Sequence, residues 1–308
     1  MHGFITDPNA PGGLRLADDL PEPEPAVGEV VIEVRAFAVN RGELKLLELR
    51  PEHWRPGQDL AGVVVRAADD GSGPPAGTRV VAIAEGGGWA ERIALPADVV
   101  VPLNDEVAFD QAAALPIAGL TALRALRIDG SVLGRKVLVT GATGGVGQFA
   151  IQLAAAGGAE VTAQVSHPDR AGLATSLGAD HVLTDLRHAT VGPFDLVLDA
   201  LGGEVLEEAI HNLAPGGTVA TYGNLAGEAS LSFLDFRAAP LASVVGFFHA
   251  HPQDARGDDL ATLVRLTADG RLTPQLGSVR DWRQTRETLD ALRAREVRGK
   301  AVLTIAER

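Results

Sequence analysis

Val137-Leu138-Val139-Thr140-Gly141-Ala142-Thr143-Gly144-Gly145-Val146-Gly147 is the stretch that decides the architecture of this 308-residue chain. A β-branched apolar run enters it. Val146, Phe149, Ala150, Leu153 and Ala154 leave it at helical spacing. Its core, Ala142-x-Gly144-x-x-Gly147, is a G-x-G-x-x-G loop with alanine at the first position. It lies between a strand and a helix, as that motif requires. Glycine lets the backbone turn tightly and approach a pyrophosphate, and the N–H groups at the helix start then face the anion. An ordinary glycine-rich strand–helix turn is the competing reading, and the βαβ context weighs against it.

Outward from this loop the rhythm stays strand, helix, strand. Val161–Val165, His181–Leu183, Phe194–Leu198, Gly217–Tyr222 and Ser243–Phe248 read as strands. The segments 145–156, 169–177 and 204–213 read as helices. Near-continuous apolar strands alternating with helices mean a parallel sheet buried on both faces. Upstream, Val30–Ala36 and Gly62–Val65 are β-branched runs broken by Pro21–Pro25, Gly71–Pro75 and Gly86–Gly88, which suggests a small irregular barrel. A helix at Asp110–Ala114 is expected to break at Pro116 and resume from Thr121 to Leu126. The terminal strand Ala301–Ile305 is expected to rejoin the first domain. The fold class is therefore α/β, a Rossmann doubly wound parallel sheet plus a β-barrel domain. The expected divisions are 1–115 for the barrel, 116–257 for the dinucleotide-binding domain and 258–308 for the return.

The end of the second strand of the βαβ unit selects the cofactor. An NAD site places Asp or Glu there for the ribose 2′-hydroxyl. Here Glu160 comes too early, and the strand runs out at Val165-Ser166-His167-Pro168-Asp169-Arg170. Ser166 can donate to a 2′-phosphate and Arg170 can pair with it, which favours NADPH. Ser166 can equally cap the next helix, and Asp169 would repel a phosphate unless it points away.

Composition closes off other classes. Lys+Arg is 27 and Asp+Glu is 40, so the formal net charge is −13 and a broad nucleic-acid surface is not expected. There is no cysteine, which removes disulfides, thiolate nucleophiles and thiolate zinc sites. Met1–Pro8 has neither a basic n-region nor an apolar h-region, and no apolar run reaches spanning length. A cytoplasmic protein with no membrane partner is expected.

With these residues in view, the chain resembles the medium-chain dehydrogenase/reductase superfamily, in particular its zinc-independent quinone oxidoreductase branch. Besides the glycine loop, the landmarks include Pro25-x-x-Gly28-Glu29-Val30, Val39-Asn40-Arg41-Gly42-Glu43 and Pro56-Gly57-Gln58-Asp59-Leu60-Ala61-Gly62. Further on come Ala114-Leu115-Pro116, Leu177-Gly178-Ala179-Asp180, Asp195–Asp199 and Gly299-Lys300-Ala301-Val302. The resemblance implies a GroES-like domain built from both chain ends around a Rossmann domain. It also implies NADPH-dependent reduction of quinones or other α,β-unsaturated carbonyls, usually by a homodimer. Carried over by residue, it gives Ser166 and Arg170 the 2′-phosphate, and Thr143, Gly144, Gly145 and Val146 the pyrophosphate. Gly223 and Asn224 become a cofactor-contacting turn, and Phe247 and Phe248 line the nicotinamide. Thr121 and Lys300 add further contacts, and Asn40 faces nicotinamide and substrate. Two positions depart from the branch: Asp185 stands where a tyrosine often assists the 2′-phosphate, and Lys45 where an active-site tyrosine can follow the asparagine.

For catalysis, Asn40 is the candidate oxyanion donor, and Lys45, Arg41 or water the proton source. Arg41, Glu43 and Lys45 read equally well as a solvated helix face. Trp54 and Trp89 either line the substrate pocket or fill the barrel core. Zinc is not expected, because Asn40 and Gln58-Asp59 occupy the ligand regions. His249 and His251 share a strand face but have no third ligand in view, so surface histidines are the simpler reading. An NADPH-binding redox sensor or structural protein, and a specialised biosynthetic enoyl reductase, are the alternatives to a quinone or enone reductase.

Overall fold

The computed structural model describes residues 1–187, 189–247 and 255–306. The chain divides into two compact units, Met1–Leu120 with Ala255–Arg308, and Thr121–Asp254.

In the first unit β1 (Gly3–Thr6) and β2 (Leu14–Ala17) form an antiparallel pair. The chain continues through β3 (Glu29–Val39), α1 (Arg41–Leu49), β4 (Asp59–Arg66), β5 (Arg79–Ile83), β6 (Arg92–Pro96) and β7 (Val100–Pro102). α2 (Phe109–Ala113) and α3 (Pro116–Leu126) follow. Proline therefore opens α3 instead of interrupting a helix that resumes at Thr121. At the first helical position its missing N–H has no intrahelical acceptor to lose, and its fixed φ suits the helix.

The second unit is a βα alternation. It runs β8 (Lys136–Val139), α4 (Gly147–Ala156), β9 (Glu160–Gln164), α5 (Ala171–Ser176), β10 (His181–Leu183), β11 (Phe194–Asp199), α6 (Gly203–His211), β12 (Leu213–Thr221) and β13 (Ser243–Gly246). The six strands are all parallel, in the order β10-β9-β8-β11-β12-β13. β12 starts at Leu213, four residues before the strand expected at Gly217, because Leu213 pairs with Phe194 and is buried. Leu138, Phe194, Val197, Ile210 and Val219 form one core under α6. That helix presents Leu206, Ala209 and Ile210 to the sheet at the i, i+3, i+4 spacing.

The chain then returns to the first unit as α7 (Arg256–Ala268), β14 (Leu276–Asp281), α8 (Thr285–Arg293) and β15 (Lys300–Thr304). β15 pairs antiparallel with β3, joining Ala301 to Val39 and Thr304 to Ala36. The other half of β3, Glu29–Glu33, pairs with β6, and its second edge pairs with β4. The sheet order is β14-β15-β3-β4-β5-β7. Trp89, stacked on Phe37 at 5.7 Å and edge-on to Phe4, is fully buried in the core of this unit.

Candidate active site

In the second unit the chain winds outward from β8 to one side and from β11 to the other. The carboxyl ends of β8 and β11 therefore form the topological switch point, where open α/β sheets bind ligands. The glycine turn sits there. Ala142, at the first motif position, is fully buried, and the left-handed conformation falls one residue earlier, on Gly141 (φ +57°). Gly141 N–H donates to Gln164 Oε1 at 3.1 Å and Ala142 N–H to Gln164 O at 3.0 Å, which ties the turn to the end of β9. A Cβ on Gly147 would lie 2.6 Å from the carbonyl oxygens of Gly141 and Ala142, so α4 seats on the turn only with glycine there. The backbone N–H groups of Gly145 and Val146 have no hydrogen-bond partner among the described residues, whereas Gly144 N–H donates to Gly141 O. Two unpaired amides ahead of a helix start make an anion cradle.

Asp199, at the end of β11, fastens the switch point and is fully buried. Its Oδ1 accepts from Thr140 Oγ1 at 2.7 Å and from Leu201 N–H at 3.2 Å. Its Oδ2 accepts from Gly202 N–H at 3.0 Å and Thr221 Oγ1 at 3.1 Å. The ends of β8, β11 and β12 are thereby locked together. Gly223 follows β12; a Cβ there would strike the Ala200 carbonyl at 2.4 Å. Asn224 is exposed, and Phe247 is half-buried with its N–H donating to Thr221 O at 2.7 Å. Phe248, His249 and His251 lie outside the described residues. Thr121 and Thr143 are buried. The Tyr222 hydroxyl is buried with no partner among the described residues. Burial first, and the nearby Asp199 second, push its pKa up.

Ser166 is exposed after β9, and Arg170 is half-buried with its Nε buried and unpartnered. Ser166 does not cap the following helical turn; His167 holds that position. Asp185 pairs with Arg187 at 2.9 Å on the surface.

The catalytic candidates belong to the first unit. Asn40 caps α1. Its amide Nδ2 donates to Asp59 Oδ2 at 2.9 Å, and its Oδ1 accepts from Lys300 Nζ at 2.5 Å. Lys300 Nζ also pairs with Asp59 Oδ2 at 3.0 Å, and Asp59 Oδ1 accepts from Ile117 N–H. Lys300 is 2% exposed and Asp59 0%. Glu43 completes the group, accepting from Asn40 N–H at 2.8 Å and Gln58 N–H at 3.0 Å. It is fully buried, contrary to its reading as part of a solvated helix face. Desolvation and the charge of Asp59 push its pKa up to about 8. Lys45 stands apart from this group. Its ammonium is exposed and pairs with Glu48 at 3.0 Å.

Of the two tryptophans, Trp89 is core, while Trp54 is half-buried and lines a cavity of about 810 Å³. At Asn40 and Asp59 the donor set does not fit zinc. Among the described residues no three His, Asp or Glu side chains converge as metal ligands. The ammonium of Lys300 already sits against Asn40 and Asp59, where a second cation would be repelled.

Residues 26–105 match the alcohol dehydrogenase GroES-like domain family and residues 145–265 the zinc-binding dehydrogenase family. The chloroplast envelope quinone oxidoreductase homolog of Arabidopsis thaliana is 34% identical over 223 residues, 65% of this chain and 68% of that protein. The chain belongs to the medium-chain dehydrogenase/reductase superfamily, in its quinone oxidoreductase branch. A second superfamily relative is the spectinabilin polyketide synthase system protein NorB of Streptomyces orinoci, 36% identical over 225 residues. The matched region is 68% of this chain and a tenth of NorB's length. The structure of mycobacterial Rv1454c complexed with NADPH superposes with a TM-score of 0.88 at 26% identity, covering 99% of this chain and all of that one. The zinc in one matched family's description has no ligand set among the described residues of this superfamily member.

Sequence reasoning missed Glu43, Asp59 and Asp199 as organising residues. The spacing Asn40-x-x-Glu43 is a capping pattern and could have found the first. An acid opening or closing an apolar strand is the signal for the other two.

Proposed function

We propose that this protein is an NADPH-dependent, zinc-independent reductase of quinones or other α,β-unsaturated carbonyls. The observation that carries this reading is the pair of unpaired amides on Gly145 and Val146 at the switch point of the parallel sheet. These amides, with Thr143 and Gly144, would hold the pyrophosphate. Ser166 and the unpaired Nε of Arg170 would receive the 2′-phosphate, which favours NADPH over NADH. Thr121, Gly223, Asn224, Phe247 and Phe248 would complete the cofactor's surroundings. NADPH bound there supplies a hydride for the acceptor's β-carbon.

Asn40 is the candidate donor to the acceptor's carbonyl oxygen. Its Nδ2 donates to Asp59 at 2.9 Å and weakly to Glu43 at 3.4 Å, and its Oδ1 accepts from Lys300, so the amide is oriented before any ligand arrives and the acceptor's oxygen would displace the long contact to Glu43. Lys300, expected to contact the cofactor directly, is buried with its ammonium on Asn40 and Asp59, so it would act on the site through Asn40. The proton for the α-carbon comes from water in this reading, and Lys45, the other candidate donor, is exposed and paired with Glu48. The site is cytoplasmic in this reading, and no helix among the described residues is long and apolar enough to cross a membrane. The protein forms a homodimer, supported by the exposed apolar edge at β13 described below. NADPH oxidation with 1,4-benzoquinone and a panel of simple enones tests the proposal. Turnover with several of them supports it, and binding without turnover across the panel contradicts it. The match to NorB supports a second reading, a reductase for one specialised intermediate, which the same panel separates by activity on a single acceptor only.

A further inference from the structure

The cavity beside Trp54 lies wholly within the first unit, and its volume, about 810 Å³, suits a small organic molecule. Two walls of it are locked together. Gly87 N–H donates to Arg55 O at 2.8 Å, and a Cβ on Gly86 would sit 2.8 Å from that same oxygen. Ile83, Ile93 and Leu95 supply apolar lining.

The charges around it are unequal in their circumstances. Arg256 Nη1 is paired with Glu85 Oε1 at 2.7 Å. Glu29 accepts from Ala26 N–H at 2.9 Å, and Glu24 and His53 are exposed to water. Arg55 shares with Arg256 a buried Nε that lacks a hydrogen-bond partner, but differs from it in having no ion pair among the described residues. It is half-buried. Desolvation lowers its pKa. A half-buried guanidinium with no counter-charge is partly desolvated, and an incoming anion offsets that cost. The three glutamates around the rim disfavour a dianion, so the anion carries a single charge.

We propose that Arg55 is a specificity-determining residue, and that the cavity it lines receives an acceptor substrate bearing a carboxylate on an otherwise apolar body. The carboxylate takes a forked pair of hydrogen bonds from the guanidinium, and Trp54 with Ile83, Ile93 and Leu95 covers the apolar body. The word substrate rests on the reductase reading, whereas the anion preference of the cavity does not.

A matched pair of probes isolates the carboxylate: 4-phenylbut-3-en-2-one, which is neutral, and its para-carboxylated derivative. Calorimetric titration of the full chain, without turnover, is expected to show the carboxylated enone binding at least about tenfold more tightly, the equivalent of one charge-assisted contact. Arg55→Gln should reduce that discrimination to less than about twofold, and Arg55→Lys should restore part of it. Equal affinity of the wild-type protein for the two probes overturns the proposal, as does discrimination that survives Arg55→Gln. The wild-type comparison decides the matter even where a variant folds poorly. Because no NADPH is oxidised in these titrations, failure of the reductase reading shows only in the benzoquinone assay and is distinguishable from failure of this site.

Discussion

At Glu43 a carboxyl group is held away from water beside a second carboxylate, and this sets a pH signature. In the unfolded chain it ionises at the ordinary carboxylate pKa, and in the folded chain at about 8. The native state thus binds more protons than the unfolded state between those values. The stability Glu43 contributes is complete at low pH and is lost as pH rises through about 8. Glu43→Gln keeps the acceptor for Asn40 N–H and removes the titration. The melting temperature of the variant relative to wild type should therefore rise from pH 5 to about pH 8 and level off above it. A difference independent of pH would contradict the assignment. At Arg170 the prediction concerns cofactor choice: Arg170→Ala should weaken NADPH by about 1.5–3 kcal/mol and leave NADH nearly unchanged, read by titration with each. Equal losses would remove the 2′-phosphate role. The position of Arg170 after a strand end that lacks the acid was legible in the sequence. Glu43 was not, because a charged residue on a short helix reads as exposed until tertiary packing closes over it.

Among the elements, the glycine turn separates two uses of one residue type. Gly147 serves packing: its absent side chain leaves room for backbone oxygens at 2.6 Å. Gly144 has only one neighbour so close, Gly141 O at 3.1 Å from a built Cβ, and its own side is where the pyrophosphate would approach. Gly147→Ala should lower the melting temperature sharply, whereas Gly144→Ala should change it little and weaken NADPH binding by at least about tenfold. The reverse pattern would exchange their roles. The parallel strands and the turn were readable because apolar runs and glycine spacing are local signals. The start of α3 at Pro116 and of β12 at Leu213 were not, since each depends on what the residue packs against or pairs with. The Asp199 network was likewise hidden: three strand ends meet there that lie far apart in sequence.

For the whole molecule, among the described residues the parallel sheet ends in an unpaired strand, β13, whose Val244 is 38% exposed. Phe233 and Leu241, each 91% exposed, are further large apolar side chains in the same unit. An unpaired strand edge with exposed apolar side chains is a pairing surface. Light scattering should give twice the chain mass for the wild type, and Phe233→Asp with Leu241→Asp should give the monomer. A monomeric wild type would contradict this. Composition already excluded thiolate chemistry and a broad basic surface, and the order of motifs placed both domains. Neither could supply the long-range contact of Lys300 with Asn40 and Asp59, 260 and 241 residues away in sequence. Whether the amides of Gly145 and Val146 grip a dinucleotide is tested most directly by calorimetric titration of the wild-type chain and of Gly144→Val with NADPH. Saturable binding by the wild type, lost in a Gly144→Val protein that still melts cooperatively, is the result expected. Absence of binding to the wild type, or equal binding to both, would contradict the account.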